Sequence, residues 1–314
     1  MTWKILVADG LEEIGIQILQ DAAQVDNRSG ISPEELFEVI DTYEAIIVRS
    51  RTKLTPELIT AGNHLKVIGR AGVGVDNINL EAARQQGIKV VNAPTAATIA
   101  VAELTMALMI SLARDVAHAD ESMKSGKWIK KQLMGNELYG KTLGIIGLGR
   151  IGSAVAERAA SFGMPIVLGY DTSQEKLDSL RSMGFETVTL DELYKRADYI
   201  SIHVPLTPET RGMIEAEAIA SMKSGVRIIC TARGGIINEN ALLEALNSGQ
   251  VAGAGLDVFA SEPPGLTELV SHPNVIATPH IGAQTKEAQT RAAVDIAREV
   301  LAALNGTALR WQVI

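Results

Sequence analysis

Residues 142–171 read TLGIIGLGRIGSAVAERAASFGMPIVLGYD, and this stretch decides the fold class of the chain. It opens with an apolar run typical of a buried strand, and three glycines follow at once: Gly147, Gly149 and Gly152. An amphipathic helix pattern comes next, and a second apolar run ends in Asp171. Strand, glycine-rich turn, helix and strand in this order form one unit of a parallel α/β sheet.

The turn from Gly147 to Gly152 has the GxGxxG spacing of a dinucleotide-binding fingerprint. The first glycine permits a tight turn, the second lets a pyrophosphate approach the backbone, and the third lets helix and strand pack closely. The helix N-terminus then offers N–H groups to the phosphates. Asp171 lies about 20 residues further on, where a carboxylate binds the ribose hydroxyls and repels a 2′-phosphate. The pattern therefore predicts an NAD site rather than an NADP site.

Strands and helices alternate on both sides of this stretch. A long helix is predicted from Thr98, its expected N-cap, to about Lys124, where Gly126 ends it, and a last helix is predicted at 286–304. We therefore expect two doubly wound parallel-sheet domains, the first of which becomes discontinuous if the last helix returns to it. Apolar runs predict the other strands at residues 4–9, 45–49, 65–69, 89–92, 199–204, 227–230, 255–258 and 275–277.

The composition limits the classes of function open to this chain of 314 residues. The hydrophobic fraction is 46% with only 4% aromatic residues, so the cores must be aliphatic, which suits buried parallel strands. A formal net charge of −8 argues against nucleic acid or an anionic membrane as a partner. Cys230 is the single cysteine, and the N-terminus lacks a signal-peptide pattern, so a cytoplasmic location is expected. No spacing of cysteine, histidine and acidic residues suggests a metal site.

Three polar side chains follow predicted strands of the second half of the chain: Arg233, Glu262 and His280. The carboxyl ends of parallel strands form the ligand-binding edge of a sheet. Oxidation of a secondary alcohol needs a base, which histidine supplies near neutral pH. A carboxylate stabilises the imidazolium, and arginine binds a substrate carboxylate in bidentate fashion. Taken one at a time, His280 is explained as a packed loop histidine, Glu262 as a solvated carboxylate and Arg233 as a partner in a structural salt bridge. Taken together, the three residues indicate a site for a 2-hydroxy acid. His64, His118, His203, His272 and Cys230 are expected to be structural.

Matching segments run through nearly the whole chain, and with them it resembles the D-isomer-specific 2-hydroxyacid dehydrogenases. The segments are VRSRTKLT, GRAGVGVDNINLEAA, VAELTMALMISLAR, SMKSGKWIKKQLMGNELYGKTLGIIGLGRIG, ARGGIINE, GLDVFASEPP and TPHIGAQTKEAQ. The resemblance implies a Rossmann-type nucleotide domain, residues 98–286, inserted in a flavodoxin-like substrate domain, residues 1–97 plus 287–314. It also implies a homodimer built on the nucleotide domain and the long helix, and a cleft that closes by hinge motion.

The resemblance also assigns roles to individual residues. The catalytic arginine, glutamate and histidine of the family fall on Arg233, Glu262 and His280. Besides the glycine turn, the cofactor positions fall on Val73, Arg150, Ile151, Asp171, Val204, Thr231, Ala232, Asp257 and the segment from His280 through Gly282 to Ala283. The implied cofactor is NAD, and the implied partner is a small-molecule substrate.

Within the family, the likeness is greatest to members that oxidise 3-phosphoglycerate to 3-phosphohydroxypyruvate, the first step of serine biosynthesis. Substrate positions fall on Arg49, Arg51 and Arg70 with Gly72 and Gly74; Lys130 and Lys131 are further candidate cations. Ordinary surface charge explains these cations equally well. The alternatives are a glyoxylate or hydroxypyruvate reductase of the same family and an NAD-sensing corepressor. The chain stops soon after its last predicted helix, so no serine-sensing domain is expected.

Overall fold

The computed structural model describes residues 2–314 and separates into two compact units. One unit comprises the residues up to Ala97 together with Ala283–Ile314, and the other comprises Thr98–Gly282. The second unit is therefore inserted into the chain of the first. Within residues 2–314, no helix is long and apolar enough to cross a membrane.

The first unit is built on a five-stranded parallel sheet of order β2-β1-β3-β4-β5. Its strands are β1 (Trp3–Val7), β2 (Ala23–Asn27), β3 (Ala45–Val48), β4 (Val67–Arg70) and β5 (Lys89–Asn92). Its helices are α1 (Glu13–Gln20), α2 (Pro33–Val39), α3 (Pro56–Ala61), α4 (Leu80–Gln85) and α12 (Lys286–Leu304). This order is the flavodoxin-like order, so the expected class of this domain is confirmed.

Helices cover both faces of this sheet, because its strands are apolar on both sides. All four residues of β3 are buried, and they alternate between the two cores. Ile16 of α1 and Val300 of α12 pack on one face with Ile47. Leu36 of α2 and Ile59 of α3 pack on the other. The last helix thus packs on the sheet of the first unit.

The second unit holds a seven-stranded parallel sheet of order β12-β11-β10-β9-β6-β7-β8. Its strands are β6 (Thr142–Ile146), β7 (Ile166–Tyr170), β8 (Glu186–Thr187), β9 (Tyr199–Ile202), β10 (Val226–Cys230), β11 (Val251–Leu256) and β12 (Val275–Ala277). Its helices are α5 (Thr98–Arg114), α6 (Val116–Lys124), α7 (Arg150–Ser161), α8 (Gln174–Ser182), α9 (Leu190–Arg196), α10 (Ala216–Ser221) and α11 (Glu239–Ser248). The order reverses at β6, which pairs with both β7 and β9, as in a Rossmann-type sheet.

The predicted long helix from Thr98 to Lys124 is wrong as a single element. It is two helices, α5 and α6, separated at Asp115, which adopts a left-handed φ of 56°. Thr98 is also not an N-cap: it is the first helical residue, and its buried Oγ1 has no hydrogen-bond partner within residues 2–314. Gly126 lies just beyond the end of α6, with φ of 73°.

Candidate active site

The glycine turn lies between β6 and α7, at the point where the strand order of the sheet reverses. Gly147 has φ of 95°, and a Cβ there would lie 2.7 Å from the carbonyl oxygen of His203. A Cβ on Gly152 would lie 2.0 Å from the Gly147 carbonyl oxygen. Both positions therefore require glycine, the first for the turn and the third for close packing of helix on strand.

Gly149 differs from the other two glycines, because a Cβ there would meet nothing within 4 Å. It is the N-cap of α7, and no side chain of residues 2–314 caps this helix end. The backbone N–H groups of the first turn of α7 are thus left for a ligand at an open surface. The turn fits the pyrophosphate of a dinucleotide, with Arg150 and Ile151 opening the helix.

Asp171 lies immediately after β7, and its side chain is only 7% exposed. Its carboxylate accepts hydrogen bonds from the N–H groups of Leu148 at 2.8 Å and Ser173 at 2.9 Å. Lys176 of α8 lies 3.2 Å away. Burial raises the pKa of Asp171, but these hydrogen bonds and the charge of Lys176 outweigh burial and hold the pKa below its ordinary value. Asp171 is therefore an anion anchored to the glycine turn.

Lys176 was missed at the sequence level, although it stands in the first turn of the helix that follows Asp171. The sequence held one signal for Lys176: Ser173 stands two residues after Asp171 and is a residue type that often begins a helix. Ser173 is the N-cap of α8 and places the first turn of this helix beside the aspartate. A cation beside the carboxylate that is predicted to bind the ribose would affect the choice between NAD and NADP.

Glu262 and His280 form a hydrogen-bonded pair at the carboxyl edge of the same sheet. Glu262 Oε2 lies 2.8 Å from His280 Nδ1, and Glu262 Oε1 accepts the N–H of Phe259 at 3.1 Å. Burial raises the pKa of Glu262; the His280 and Phe259 hydrogen bonds, with the charges of His280 and Arg233, lower it below its ordinary value overall. Both side chains are partly exposed, and His280 Nε2 makes no hydrogen bond to any residue in the range 2–314. Nδ1 is thus engaged with Glu262, and Nε2 is the ring nitrogen left for a ligand.

Asp257, the residue after β11, holds the segment from Thr278 to Gly282 in place. The carboxylate is buried and accepts hydrogen bonds from Thr278 Oγ1 at 2.6 Å and from the Ile281 and Gly282 N–H groups at 2.8 Å each. His280 lies between these donors and adopts a left-handed φ of 52°, which is unfavourable for a residue other than glycine. Asp257 thus fixes the backbone on both sides of His280.

Arg233 follows β10, the strand next to β11. Its Nη1 donates to the Ala232 carbonyl at 2.6 Å, and its charge is among those that lower the pKa of Glu262. Thr231 is buried, and its hydroxyl shares a hydrogen bond of 2.9 Å with Thr105 of α5. The structure thus brings Arg233, Glu262 and His280 to neighbouring strand ends of one sheet. Val204 packs under the glycine turn, close to Gly147.

The candidate substrate residues lie in the first unit, at the ends of β3 and β4. Arg51 donates from Nε to Asp9 at 3.0 Å and from Nη2 to the Ala8 carbonyl. Asp9 also accepts the Arg49 N–H at 2.7 Å, but the Arg49 guanidinium makes no hydrogen bond or ion pair within residues 2–314. Arg70 Nη1 donates to the Ala71 carbonyl. Arg49 is therefore the better candidate for an incoming anion.

The remaining predicted substrate and cofactor positions lie partly in the first unit and partly in the second. The Arg70 guanidinium covers Gly72, and the Val73 carbonyl accepts a hydrogen bond from Asn92. Gly74 is half-buried, as is Ala283. Lys130 and Lys131 are exposed in a short 3₁₀ turn of the second unit.

The residues expected to be structural include a partly buried histidine and a buried cysteine. His203 Nε2 lies 2.7 Å from Ser201 Oγ, and burial lowers the pKa of His203 to about 3. Cys230 lies in β10 as predicted, and burial raises the pKa of its thiol to about 11. Neither group is ionised near neutral pH. Among residues 2–314, no group of three histidine, cysteine or acidic side chains is placed to hold a metal ion.

The second unit has a glycine turn at the point where the strand order of its parallel sheet reverses. A histidine–carboxylate pair lies on the same edge of the sheet. These features are typical of dinucleotide-binding α/β proteins. Residues 106–282 match the family model for the D-isomer specific 2-hydroxyacid dehydrogenase NAD binding domain. The chain belongs to this family, and its second unit is an NAD-binding domain.

Relatives that match over nearly the whole of this chain carry a more specific name. The chain is 52% identical over 304 residues to D-3-phosphoglycerate dehydrogenase of Methanocaldococcus jannaschii, covering 96% of this chain and 58% of that protein. It is 50% identical over 309 residues to the protein of the same name from Synechocystis sp., covering 98% and 55%. The chain thus spans little more than half the length of these relatives. The solved TT0316 protein of Thermus thermophilus matches with a TM-score of 0.91 and 36% identity, covering 99% of this chain and 100% of that one.

Proposed function

We propose that this chain is an NAD-dependent D-2-hydroxyacid dehydrogenase that oxidises 3-phosphoglycerate to 3-phosphohydroxypyruvate, the first step of serine biosynthesis. The observation that carries the reaction class is the Glu262–His280 pair, 2.8 Å apart, on the sheet that also bears the glycine turn. Sequence identity of 50% and 52% to two D-3-phosphoglycerate dehydrogenases supports 3-phosphoglycerate as the substrate.

In the proposed reaction, His280 Nε2 takes the proton of the substrate hydroxyl while the C2–H bond breaks and the C2–O bond becomes a carbonyl. NAD, when bound at Gly147–Gly152 and Asp171, supplies the acceptor for the hydride that leaves C2. Glu262 stays ionised and stabilises the imidazolium that forms. Arg233 binds the substrate carboxylate and so orients C2. In the reverse direction, the imidazolium returns the proton to the carbonyl oxygen.

The phosphate of the proposed substrate needs a cation outside this catalytic set. Arg49 meets the requirement better than Arg51, because Arg51 is already bonded to Asp9. We expect Arg49→Ala to raise the KM for 3-phosphoglycerate at least tenfold, the order expected for loss of one charged hydrogen-bonding partner. The KM for glycerate, which lacks the phosphate, should change about threefold at most. Equal effects on both substrates would argue that Arg49 does not contact the phosphate.

A substrate panel tests the proposal directly. NADH formation at fixed NAD is compared for 3-phosphoglycerate, glycerate and lactate, and NADH oxidation is compared for 3-phosphohydroxypyruvate and hydroxypyruvate. The proposal expects the phosphorylated member to be favoured in kcat/KM in both directions. Rates with 3-phosphoglycerate no higher than with glycerate or lactate would overturn the assigned substrate. Preference for hydroxypyruvate would indicate a reductase of the same family instead.

We also propose a homodimer in the cytoplasm. Support comes from apolar side chains exposed between α6 and β6: Trp128 is 77% exposed, Met134 89% and Tyr139 75%. Exposed apolar side chains are typical of an interface when they form one contiguous patch, and these three lie within one segment of twelve residues. Sedimentation equilibrium should give twice the mass of 33.5 kDa, and Trp128→Glu should shift it toward the single-chain mass. A wild-type protein that sediments at the single-chain mass would overturn the dimer.

A further inference from the structure

The segments that carry Arg233 and Glu262 are in direct contact. Arg233 follows β10, and the Phe259–Glu262 segment follows the neighbouring strand, β11. A Cβ on Gly234 would lie 1.8 Å from the Phe259 carbonyl oxygen, so the Gly234 backbone rests on the Phe259–Ala260 peptide. Any movement of one segment is therefore transmitted to the other.

Glu239 links these segments through its side chain. Its Oε1 accepts the N–H of Ala260 at 2.6 Å, a short charge-assisted hydrogen bond. Glu239 is half-buried and lines a small surface pocket together with Arg233. Glu239 is the last residue of the ARGGIINE segment and the first of α11, and the sequence pattern assigns it no role in the reaction.

The helix that begins at Glu239 does not need this carboxylate for capping. Asn238 is the N-cap, and its side chain accepts the N–H groups of Asn240 and Ala241. The Glu239 side chain reaches instead away from its own helix to Ala260. Its contact is thus directed at the active-site segment.

Two consecutive N–H groups of that segment are held by two different carboxylates. Ala260 donates to Glu239, and Phe259 donates to Glu262 Oε1 at 3.1 Å. The other oxygen of Glu262 is the one that meets His280. The peptide that aims Glu262 at His280 is therefore fixed from outside by Glu239.

We propose that Glu239 is a positioning residue for the Glu262–His280 pair, acting as a hydrogen-bond acceptor for Ala260 rather than as a charge near the substrate. The inference rests on the proposed function, because it assumes that this pair moves the proton. A small displacement of a positioned catalytic group is costly, and rate losses up to about a hundredfold accompany misplacement by about 1 Å.

Two substitutions distinguish the role of Glu239 as a hydrogen-bond acceptor from the role of its charge. Glu239→Gln keeps an oxygen at the same reach and removes the charge, whereas Glu239→Asp keeps the charge and shortens the side chain by one carbon. We expect the Gln variant to retain kcat within about threefold and the Asp variant to lose at least tenfold, with the KM values changed little. Glu244→Ala, at an exposed position of the same helix, is the matched control and should behave as wild type.

Histidine ¹⁵N NMR of the protein without ligands gives a readout independent of turnover. The His280 Nδ1 resonance should keep its hydrogen-bonded shift in the Gln variant and lose it in the Asp variant. Unchanged kcat and unchanged His280 shift in the Asp variant would overturn the proposal, as would a Gln variant impaired as severely as the Asp variant. A wild-type chain without turnover on any 2-hydroxy acid would refute the proposed function, while the NMR comparison would still decide the role of Glu239.

Discussion

The glycine turn after β6 and the Glu262–His280 pair after β11 and β12 are held in place by opposite means. The backbone geometry of the turn depends on the lack of side chains, because a Cβ at Gly147 or Gly152 would overlap neighbouring carbonyl groups. At the pair, geometry depends on added atoms, because the side chains of Asp257, Glu262 and Glu239 bind backbone N–H groups. The cofactor turn should therefore fail when atoms are added, and the catalytic pair when acceptors are removed.

The largest effect is expected from Gly152→Ala. Its Cβ would lie 2.0 Å from a carbonyl oxygen, so α7 must move away from the turn, which costs about 1–3 kcal/mol of stability. Calorimetric titration should show no measurable NAD binding, and thermal unfolding should shift downward. Gly149→Ala is the control for crowding within the fold, because its Cβ meets open space: it should unfold like wild type while binding NAD more weakly. Similar Tm values for Gly152→Ala and Gly149→Ala would contradict the packing argument.

Asp257→Asn should disturb the geometry of the Glu262–His280 pair and leave the glycine turn unchanged. An amide cannot accept from Thr278, Ile281 and Gly282 together, so at least one buried donor is left facing an NH₂ group, at about 1–3 kcal/mol. We expect kcat to fall roughly tenfold to a hundredfold because His280 is no longer fixed. Thr278→Val removes one donor and should have the smaller effect. A larger loss for Thr278→Val than for Asp257→Asn would refute this role of Asp257.

The cofactor preference should depend on Asp171 and Lys176 together. Asp171→Asn removes the anion that repels a 2′-phosphate and leaves Lys176 to bind it, so the Kd for NADP should fall by about tenfold. Adding Lys176→Gln should abolish most of that gain while the Kd for NAD changes little further. Calorimetric Kd values for both dinucleotides measure this. If the double variant binds NADP as tightly as Asp171→Asn alone, Lys176 has no part in the preference.

The smallest effect concerns pH and stability. The pKa of Glu262 in the folded chain lies below its ordinary value of 4.5, so ionised Glu262 contributes stability at higher pH that is lost as pH falls through the lowered pKa. The difference in unfolding free energy between wild type and Glu262→Gln should therefore shrink from pH 6 to pH 3.5. Denaturant titrations at several pH values measure it, with Glu244→Gln as the exposed control. A difference that grows on acidification would reverse the assigned sign.

Most strands of the fold were predictable from the sequence because they form apolar runs. The apolar runs of β5, β6, β7 and β12 have the predicted bounds. Others differ by a few residues: β9 ends at Ile202 rather than at residue 204, and β11 spans Val251–Leu256 rather than 255–258.

The peripheral elements were missed for a physical reason. β2 is an edge strand of sequence AQVDN that is buried only at its first residue, so it carries no apolar run. β8 is an edge strand of two residues, and α2 and α3 are short helices started by a Ser-Pro and a Thr-Pro pair. The break at Asp115 depends on a left-handed backbone that composition does not reveal.

The glycine turn and the Glu262–His280 pair also differ in how far their supporting residues could be predicted from the sequence. The glycine turn and Asp171 are local in sequence and could be proposed from spacing alone. Glu239 acts on Ala260, and Thr278 on Asp257, across long stretches of chain, and only the parallel register of β10, β11 and β12 brings them together. Residues that support a site through such contacts have no spacing rule by which sequence analysis could find them.

The most direct test of this account is a pair of measurements on one variant, His280→Ala. The Kd for NAD, by calorimetry, should stay within about twofold of wild type, because the glycine turn is held independently of the pair. The kcat for 3-phosphoglycerate oxidation should fall by about 10²–10⁴, the usual contribution of a general acid–base residue. A variant that retains kcat within a few fold of wild type would contradict the assignment of His280 as the group that takes the substrate proton.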